Sequence, residues 1–445
     1  MKLWIFIIIL TLILIIIGLF INKKESMNNS SDEPEKNMIK WTCNNMQVLN
    51  FFGEQSIVSQ SLKNIKISVN LHLTKETLCL VLLLRDAGAS LFITPANSHT
   101  TQDSVVEYLK KEKNIIIYGK RDEPDEDIYE YYDKSLKSQP DVIIDDGAEL
   151  NVYLFENYDY YYPYIKNMRF VTEQTETGVI RIRALERDNK LKLPVIAVNN
   201  ANLKLLMDSR YGTAQSAIDN LTATTNILMA GKICVIAGFG NVGKGCALRM
   251  SGIGLNIIVC EIDPIKALDA SMLGFRVMKM DDASSLGDVF ITMTGNINVI
   301  NKNHFRKMKD GVFLGNLGHG NVEINIDDLK NMSTNIIKDI VPFIDEYQIN
   351  KKKLFLLAQG EPYNLVIGQG NSATSMSNSF CLQLKAVEYG LKNNLPIKIN
   401  ILPQNIVNNI GEKQLNLFGY HIDKLTKEQI EYLNSDQLDK DFVKK

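Results

Sequence analysis

The chain has 445 residues, of which 45% are hydrophobic and 22% are charged, and its formal net charge is −2. A chain of this length and apolar content exceeds one ordinary core, so we expect two or three packed units and not a disordered protein. With 49 Lys and Arg against 51 Asp and Glu, it lacks the positive field that binding to a phosphate backbone requires. We therefore expect no nucleic-acid partner.

The N-terminus departs from this picture of a globular protein. Residues 3–21 form a run of nineteen uncharged residues that two lysines follow. At about 1.5 Å per residue, such a run spans a hydrocarbon layer of roughly 30 Å. A cleaved signal peptide has a shorter apolar stretch and a small-residue cleavage site, and neither is evident. We expect a single-pass transmembrane signal anchor over residues 1–22 and a flexible tether over 23–40.

From residue 41 onward, helix-like and strand-like patterns alternate. Segment 75–88 predicts a helix with Thr74 as its N-cap, and short apolar strands are predicted within 90–97, 114–119 and 141–147. Strands separated by helices are typical of an open parallel α/β sheet.

The six cysteines are scattered singly, without a CxxC pair and without histidines at zinc-finger spacing. This spacing argues against a disulfide framework and against a structural metal, so we expect neither. Without disulfides, a reducing compartment is the simplest location, and we expect the folded body to be cytoplasmic.

A glycine-rich turn follows the predicted strand Ile233–Ala237. Gly238, Gly240 and Gly243 form a GxGxxG motif at the start of a helix, and Glu261 stands at the end of the next apolar strand, Asn256–Cys260. The glycines permit a tight turn, a close approach of the backbone to a pyrophosphate and close packing of helix on strand. Glu261 would accept hydrogen bonds from ribose hydroxyls and repel a 2′-phosphate, so the motif predicts NAD over NADP.

Other polar residues allow two interpretations each. Lys204 and Asp208 are four apart and would share one helix face, either as a proton-handling pair or as a solvent-exposed ion pair. His319 follows a predicted strand and is either functional or simply solvated. Asp145 and Asp146 follow a buried strand and either serve a site or mark a turn.

Together these residues resemble the NAD-dependent S-adenosyl-L-homocysteine hydrolases, or adenosylhomocysteinases. The resemblance rests on the strings LHLTKET, NSHTTQD, IIDDGAEL, TEQTETGV, YGTAQSAIDN, AGFGNVGKGCA, CEIDPIKALDASMLGF, NLGHGNVEI and MSNSF. It implies a reversible split of S-adenosylhomocysteine into adenosine and homocysteine. In that reaction bound NAD oxidises the 3′-hydroxyl, homocysteine leaves by elimination, water adds and the hydride returns.

The resemblance and the strand pattern also imply the architecture. We expect an α/β protein with two doubly wound, Rossmann-like parallel-sheet domains, in which the NAD-binding domain interrupts the substrate domain. The expected divisions are 41–211 for the first part of the substrate domain, 212–369 for the NAD-binding domain, 370–405 for the second part and 406–445 for a C-terminal tail. The resemblance further implies a homo-oligomer, specifically a tetramer.

Carried over residue by residue, the resemblance implies roles for three sets of side chains. The acid/base set comprises His72, Asp146, Lys204, Asp208 and His319. The substrate-binding set, in which Glu76 accepts from the exocyclic amine of adenine, comprises Thr74, Glu76, Gln174 and Asn371. The cofactor-binding set comprises Thr175, Glu176, Thr177, Gly238, Gly240, Asn241, Val242, Gly243, Glu261, Asn296, Asn316 and Asn364.

Several positions depart from the pattern of the family. Gln174 replaces a glutamate that holds the ribose hydroxyls, Glu176 replaces a threonine and Asn371 replaces a histidine, while Ser209 and Thr213 also differ. The C-terminal Lys and Tyr of the family are not recognisable. We hypothesise that Glu176, if the segment is extended, partly restores the charge that Gln174 lacks.

Three functions therefore remain open. The complete acid/base set favours a membrane-tethered hydrolase of this family. The altered ribose and cofactor positions favour a diverged NAD-binding paralogue that regulates without turnover. Asn371 favours the same 3′-oxidation chemistry on another nucleoside thioether.

Overall fold

The computed structural model describes residues 35–436. The expected anchor, 1–22, and most of the expected tether lie outside these residues. The last part of that tether, 35–40, is helical and continues to residue 44, so the expectation of a flexible tether up to residue 40 is wrong there. Within 35–436, no helix combines the length and apolar character that crossing a bilayer requires.

The helices are numbered in chain order. They are α1 (35–44), α2 (Gln47–Ser59), α3 (Lys75–Asp86), α4 (Asp103–Leu109), α5 (Asp125–Lys137), α6 (Glu149–Glu156), α7 (Tyr158–Ile165), α8 (Glu176–Arg187), α9 (Asn202–Lys204), α10 (Thr213–Thr225), α11 (Asn241–Gly252), α12 (Pro264–Met272), α13 (Met280–Ala283), α14 (Lys302–Lys307), α15 (Ile326–Met332), α16 (Tyr363–Val366), α17 (Ala373–Lys392), α18 (Gln404–Leu417) and α19 (Lys427–Leu433). A π-helical segment, Leu205–Gly212, joins α9 to α10.

The strands are numbered in the same way. They are β1 (Lys66–Leu71), β2 (Ser90–Pro95), β3 (Ile115–Ile117), β4 (Val142–Asp145), β5 (Phe170–Glu173), β6 (Val195–Ala197), β7 (Ile233–Ala237), β8 (Asn256–Cys260), β9 (Arg276–Val277), β10 (Val289–Thr292), β11 (Val312–Asn316), β12 (Asn335–Val341), β13 (Ile344–Ile349), β14 (Lys352–Leu357) and β15 (Ile399–Asn400).

The first sheet has the order β15-β6-β5-β4-β1-β2-β3, and all its pairs are parallel. Its central strands are buried almost throughout, as expected for a sheet covered by helices on both faces. The chain reverses its direction of winding between β1 and β4. Loops diverge at such a reversal and leave a crevice at the carboxyl ends of the strands, where ligands bind.

The second sheet has the order β12-β13-β14-β11-β10-β7-β8-β9. Strands β7 to β11 and β14 pair in parallel, whereas β12, β13 and β14 pair antiparallel. The connections within this antiparallel edge are too short for the crossover that parallel pairing needs. The molecule is thus an α/β protein with two Rossmann-like sheets, and the expected parallel character holds for the core of the second one.

The passage from the first sheet to the second is continuous helix. The expected boundary near Tyr211 and Gly212 falls at the end of the π-helical segment, and α10 follows directly. Helix α10 ends at Thr225, because Asn226 adopts a left-handed conformation with φ of 49° as its C-cap.

One prediction about the cysteines is wrong. Cys43 of α1 and Cys79 of α3 form a disulfide, although they are 36 residues apart and belong to no local motif. Sequence spacing does not reveal the pair, because the packing of α1 against α3 brings the two residues together. The argument for a cytoplasmic body that rested on missing disulfides therefore no longer holds.

Candidate active site

A cavity of about 1260 Å³ is lined by residues that follow the carboxyl ends of strands in both sheets. Nearly all the residues predicted from the sequence line it. On one side they follow β1, β4, β5 and β6, and on the other they follow β7, β8, β10 and β11, while Asn364 lies in α16 and Asn371 just before α17. The exceptions are Gly243 and Asn316. The structure thus brings the predicted acid/base, substrate and cofactor residues to one space.

His72, Asp146 and His319 form one cluster in this cavity. Their potential ligand atoms all lie within 4.8 Å of one another, which is also a spacing suited to a metal ion and was not expected from the sequence. His72 Nδ1 is hydrogen-bonded to Thr100 Oγ1 at 2.7 Å, which orients its ring. Burial lowers the pKa of His319 and so favours its neutral form, while the charge of Asp146 opposes that effect.

Gly147 allows His319 to approach this loop. A Cβ atom at position 147 would lie 2.2 Å from His319 Nε2, and the φ angle of +88° is one that side-chain-bearing residues rarely adopt.

Lys204 and Asp208 form a second pair. Lys204 ends α9 and Asp208 lies in the π-helical segment, so that Nζ and Oδ2 are 3.4 Å apart. Each residue is only 6% exposed. The alternative of a solvent-exposed ion pair is therefore wrong, and the pair faces the cavity with little competition from water.

Thr74 and Glu76 lie at the beginning of α3. Thr74 is the N-cap, as predicted, and its hydroxyl accepts a hydrogen bond from the backbone N–H of Thr77 at 3.5 Å. Glu76 is in the first turn, where the helix dipole favours a negative charge. Burial outweighs that effect and raises the pKa of the Glu76 carboxyl.

Gln174 lines the same cavity as Thr74 and Glu76, and it is 3% exposed. Neither polar atom of its side-chain amide has a hydrogen-bond partner among residues 35–436. Because buried amides are rarely left unpaired, this arrangement points to a polar ligand group in the cavity.

Two buried carboxyl groups, those of Asp145 and Glu173, lie at the ends of β4 and β5 next to the cavity lining. Asp145 accepts hydrogen bonds from Asn70 Nδ2, from its neighbour's backbone N–H and from the N–H of Asn151. Glu173 accepts from the N–H groups of Gly147 and Thr175. Burial raises the pKa of Asp145 to about 7 and raises that of Glu173 well above its ordinary value.

Glu176 does not take the position that we hypothesised. Strand β5 ends at Glu173, and the backbone is still extended at Thr175, the N-cap of α8, but Glu176 is already the first helical residue. Its carboxylate accepts a hydrogen bond from Asn199 Nδ2 and lies 3.4 Å from Arg183 Nη1. The side chain is 54% exposed, so its charge is a weak substitute for a buried carboxylate beside Gln174.

The dinucleotide side is built mainly from backbone. A Cβ atom on Gly243 would lie 2.0 Å from the carbonyl oxygen of Gly238, so only glycine allows α11 to pack against the turn. A Cβ atom on Gly240 would meet no atom of the described residues, 35–436, within 4 Å, which leaves room for a ligand.

Glu261 completes this cradle. Its carboxylate accepts hydrogen bonds from the N–H groups of Phe239, Ile262 and Asp263 at 2.6, 2.7 and 3.0 Å. The glycine turn, the free start of α11 and this oriented carboxylate fit NAD and disfavour a 2′-phosphate.

Asn316 differs from the other predicted cofactor residues. It is fully buried, its Oδ1 accepts from Thr292 Oγ1 and Gly318 N, and its Nδ2 donates to the carbonyl oxygens of Gly320 and Gly360. All four bonds are internal, so Asn316 holds the loop that carries His319.

Two sequence profiles match the chain. "S-adenosyl-L-homocysteine hydrolase, NAD binding domain" matches residues 209–370, and "S-adenosyl-L-homocysteine hydrolase" matches residues 28–162. The adenosylhomocysteinase of Archaeoglobus fulgidus is 42% identical over 398 residues, covering 89% of this chain and 97% of that protein. This chain belongs to the adenosylhomocysteinase family. The predictions of the family, of its hydrolase class and of NAD are confirmed.

Other members of the adenosylhomocysteinase family are similar to the same extent. The adenosylhomocysteinase of Sulfurisphaera tokodaii is 43% identical over 406 residues, covering 90% of this chain and 96% of that protein. A protein of Methanocaldococcus jannaschii named S-inosyl-L-homocysteine hydrolase is 40% identical over 397 residues, covering 89% of this chain and 94% of that protein. These matches do not support describing the chain as a diverged member.

Sequence reasoning missed several residues of this adenosylhomocysteinase-family site. Glu323 is buried and accepts from the N–H groups of Thr294 and Gly295, which shapes the loop after β10. Ser379 Oγ donates to Asp208 Oδ2 at 2.9 Å. Both lie inside strings that carry the resemblance, NLGHGNVEI and MSNSF, so their position in a motif was the available signal.

Proposed function

We propose that this chain reversibly hydrolyses S-adenosyl-L-homocysteine to adenosine and homocysteine, with NAD as a resident cofactor. One observation carries the proposal: a dinucleotide cradle and two groups of acid/base side chains line the same cavity. When bound, NAD supplies reversible oxidation at the ribose 3′ carbon, which acidifies the neighbouring C–H bond.

Lys204 and Asp208 handle the protons at the ribose. The two groups are buried and adjacent, so one accepts the proton of the 3′-hydroxyl and the other the proton at C4′. Pairing in a site with little water keeps the carboxylate oriented and available as a base.

His72 and Asp146 serve the leaving sulfur and the attacking water, and His319 binds the oxidised sugar. The bond from His72 Nδ1 to Thr100 leaves Nε2 free to face the substrate. Burial lowers the pKa of His319, so its neutral ring is able both to donate and to accept a hydrogen bond near pH 7.

Thr74, Glu76 and Gln174 make up the proposed substrate contacts. The Glu76 carboxylate accepts from the exocyclic amine of adenine, and the free amide of Gln174 bonds the ribose hydroxyls. This assignment accounts for the Gln174 amide, which has no hydrogen-bond partner in the part of the chain that the structure describes.

Product analysis tests the proposal. The full-length chain, kept in mild detergent and loaded with NAD, is incubated with S-adenosylhomocysteine and assayed for adenosine by chromatography and for thiol by reagent. We expect both products in equal amounts, and a loss of about 1,000-fold or more in the Lys204→Ala variant, as removal of an acid/base group predicts. A folded, NAD-loaded protein that forms neither product would overturn the proposal in favour of a regulatory paralogue.

S-inosylhomocysteine is the second candidate substrate, because one relative of nearly equal similarity is named for it. Hypoxanthine carries an oxygen where adenine carries the amine, and this oxygen would face the Glu76 carboxylate. A parallel assay with both thioethers measures the ratio of their kcat/KM values. We expect the adenosyl compound to be favoured by about tenfold or more, as expected when a carboxylate meets an acceptor. The reverse ratio would assign the inosyl substrate.

Residues 1–22 are proposed to anchor the chain in a membrane as a single-pass helix, with the folded body on one side. The same proposal includes the domain divisions 41–211, 212–369, 370–405 and 406–445 and a homotetramer. Protease protection in vesicles tests the anchor and reports the side of the body, and light scattering in detergent measures the subunit number.

A further inference from the structure

A chain of hydrogen bonds connects the dinucleotide side of the cavity to Asp208. Asn364 Nδ2 donates to Ser216 Oγ at 3.2 Å. Ser216 Oγ lies 3.1 Å from Asn371 Oδ1 and 3.1 Å from the carbonyl oxygen of Thr213, so these two acceptors share its one hydrogen. Asn371 Nδ2 in turn donates to Asp208 Oδ1. The four side chains come from α16, α10, the loop before α17 and the π-helical segment, so only the tertiary fold brings them into sequence.

Donor and acceptor chemistry determines the direction of these bonds. An ionised carboxylate only accepts, so the amide nitrogen of Asn371 must face Asp208. The second hydrogen of that nitrogen reaches Thr213 Oγ1 at 3.2 Å. The amide oxygen is then left for Ser216, and a flipped amide would set two acceptors against each other at Asp208.

The two oxygens of Asp208 have different partners. Oδ2 accepts from Ser379 Oγ at 2.9 Å and faces Lys204 Nζ at 3.4 Å. Among the residues that the structure describes, Oδ1 has Asn371 as its side-chain donor. Because Asp208 is buried, an unpaired Oδ1 would carry a desolvation penalty or rotate toward other donors.

We propose that Asn371 is a positioning residue that orients Asp208 for proton transfer, and that Ser216 holds the Asn371 amide in the required orientation. The inference rests on the proposed function, in which Asp208 moves a substrate proton. It revises the sequence-based expectation that Asn371 contacts the substrate. The amide nitrogen of Asn371 carries two hydrogens, one for Asp208 and one for Thr213. A ring nitrogen of histidine carries at most one hydrogen, so a histidine at this position would not reproduce both bonds from one nitrogen while it accepts from Ser216.

A double-mutant cycle tests the proposal on the full-length, NAD-loaded chain with S-adenosylhomocysteine. Asn371→Ala should lower kcat about 10- to 100-fold, the range expected for a lost hydrogen bond to a charged group, while KM changes less than about threefold. In the Asp208→Asn background, Asn371→Ala should lower kcat by less than about twofold, because the group it orients is already altered.

Two further variants separate positioning from mere structure. Ser216→Ala should lower kcat in the same direction by about three- to tenfold, because it removes one hydrogen bond from the amide. Asn371→His, which restores one N–H donor, should recover part of the kcat lost in Asn371→Ala. The control Asn408→Ala, on the exposed face of α18, should leave kcat unchanged.

Several outcomes would overturn the proposal. They are an undiminished effect of Asn371→Ala in the Asp208→Asn background, a loss confined to KM, or a loss explained by reduced NAD content. If the wild type forms no product, the proposed function fails separately. In that case the unfolding free energies of the wild type, Asn371→Ala, Asp208→Asn and the double variant measure the coupling between the two residues. Additive effects of the two substitutions would overturn the hydrogen-bond chain, and non-additive effects would support it.

Discussion

The two walls of the cavity are built from different kinds of groups. On the dinucleotide side, backbone atoms of the glycine turn and one carboxylate, Glu261, lie within a span of 24 residues, 238–261. On the substrate side, the acid/base side chains follow β1, β4 and β6 of the first sheet and β11 of the second, and a supporting donor comes from Ser379 of α17. A backbone cradle is therefore encoded locally, whereas an acid/base set depends on long-range packing.

Replacing Gly243 in the glycine turn should have the largest effect of the substitutions considered, because it disrupts the dinucleotide-binding side of the cavity. Gly243→Ala places a Cβ atom 2.0 Å from a backbone oxygen, so the turn must shift. We expect both a lower melting temperature of the NAD-free protein and a loss of NAD affinity of about 100-fold or more, which is about 2.7 kcal/mol. Calorimetric titration with NAD and thermal unfolding measure the two effects.

Gly240→Ala distinguishes the ligand's space from the protein's own packing. Its Cβ atom meets no protein atom within 4 Å, so the melting temperature without NAD should stay within about 2 °C while NAD affinity falls about tenfold or more. Gly252→Ala, at the other end of α11 and also free of contacts, is the matched control and should change neither quantity. An equal loss of melting temperature in the Gly243 and Gly240 variants would contradict this distinction.

Gln174→Glu tests the substrate side of the cavity, and its expected effect, on kcat/KM, is smaller. A carboxylate accepts from the ribose hydroxyls more strongly than an amide, so kcat/KM should rise by about tenfold, equivalent to about 1.4 kcal/mol. Gln174→Met, which fills the same volume without polar atoms, should lower it. Steady-state kinetics with S-adenosylhomocysteine provides the measurement, and a decrease in the Glu variant would assign Gln174 to a different substrate group.

Asp145→Asn tests the buried carboxyl pair behind that wall, with the smallest expected effect. Burial raises the pKa of Asp145 to about 7 from an ordinary value of 3.8, so the folded state binds more protons than the unfolded state between these values. Stability that depends on this group is thus present at low pH and declines as pH rises from about 4 to about 7. The melting temperature of Asp145→Asn relative to the wild type should therefore increase over this range by several degrees.

The comparison of Asp145→Asn with the wild type is made from paired thermal scans at pH 5 and pH 8 in the same ionic strength. A difference that does not depend on pH would show that Asp145 titrates normally in the folded protein. A difference that changes in the opposite direction would indicate a charged Asp145 stabilised by its three hydrogen bonds.

Local patterns predicted much of the fold. The strands Ile233–Ala237 and Asn256–Cys260, the N-cap Thr74 and the helix start after the glycine turn all agree with the structure. These features depend on neighbours within a few residues, through apolar runs and capping hydroxyls. The antiparallel edge formed by β12, β13 and β14 was not predicted, because pairing between strands is not a local property.

The sequence predicted which residues form the candidate site but not which of them contact one another. The five acid/base residues came from motif resemblance, and the exposed or buried state of Lys204 and Asp208 could not be decided from a four-residue spacing. The disulfide between Cys43 and Cys79, the bond from Asn199 to Glu176 and the bond from Asn371 to Asp208 all join residues from separate elements.

By itself, the sequence determined that the chain is an α/β protein with a dinucleotide cradle, because turn glycines, strand periodicity and a terminal carboxylate act over short spans. Only the tertiary structure decided which polar groups face one another. Burial of Asp208 among Lys204, Ser379 and Asn371 requires α9, the π-helical segment and α17 to meet. The strength of each such contact depends on water exclusion, which arises only when those elements pack together.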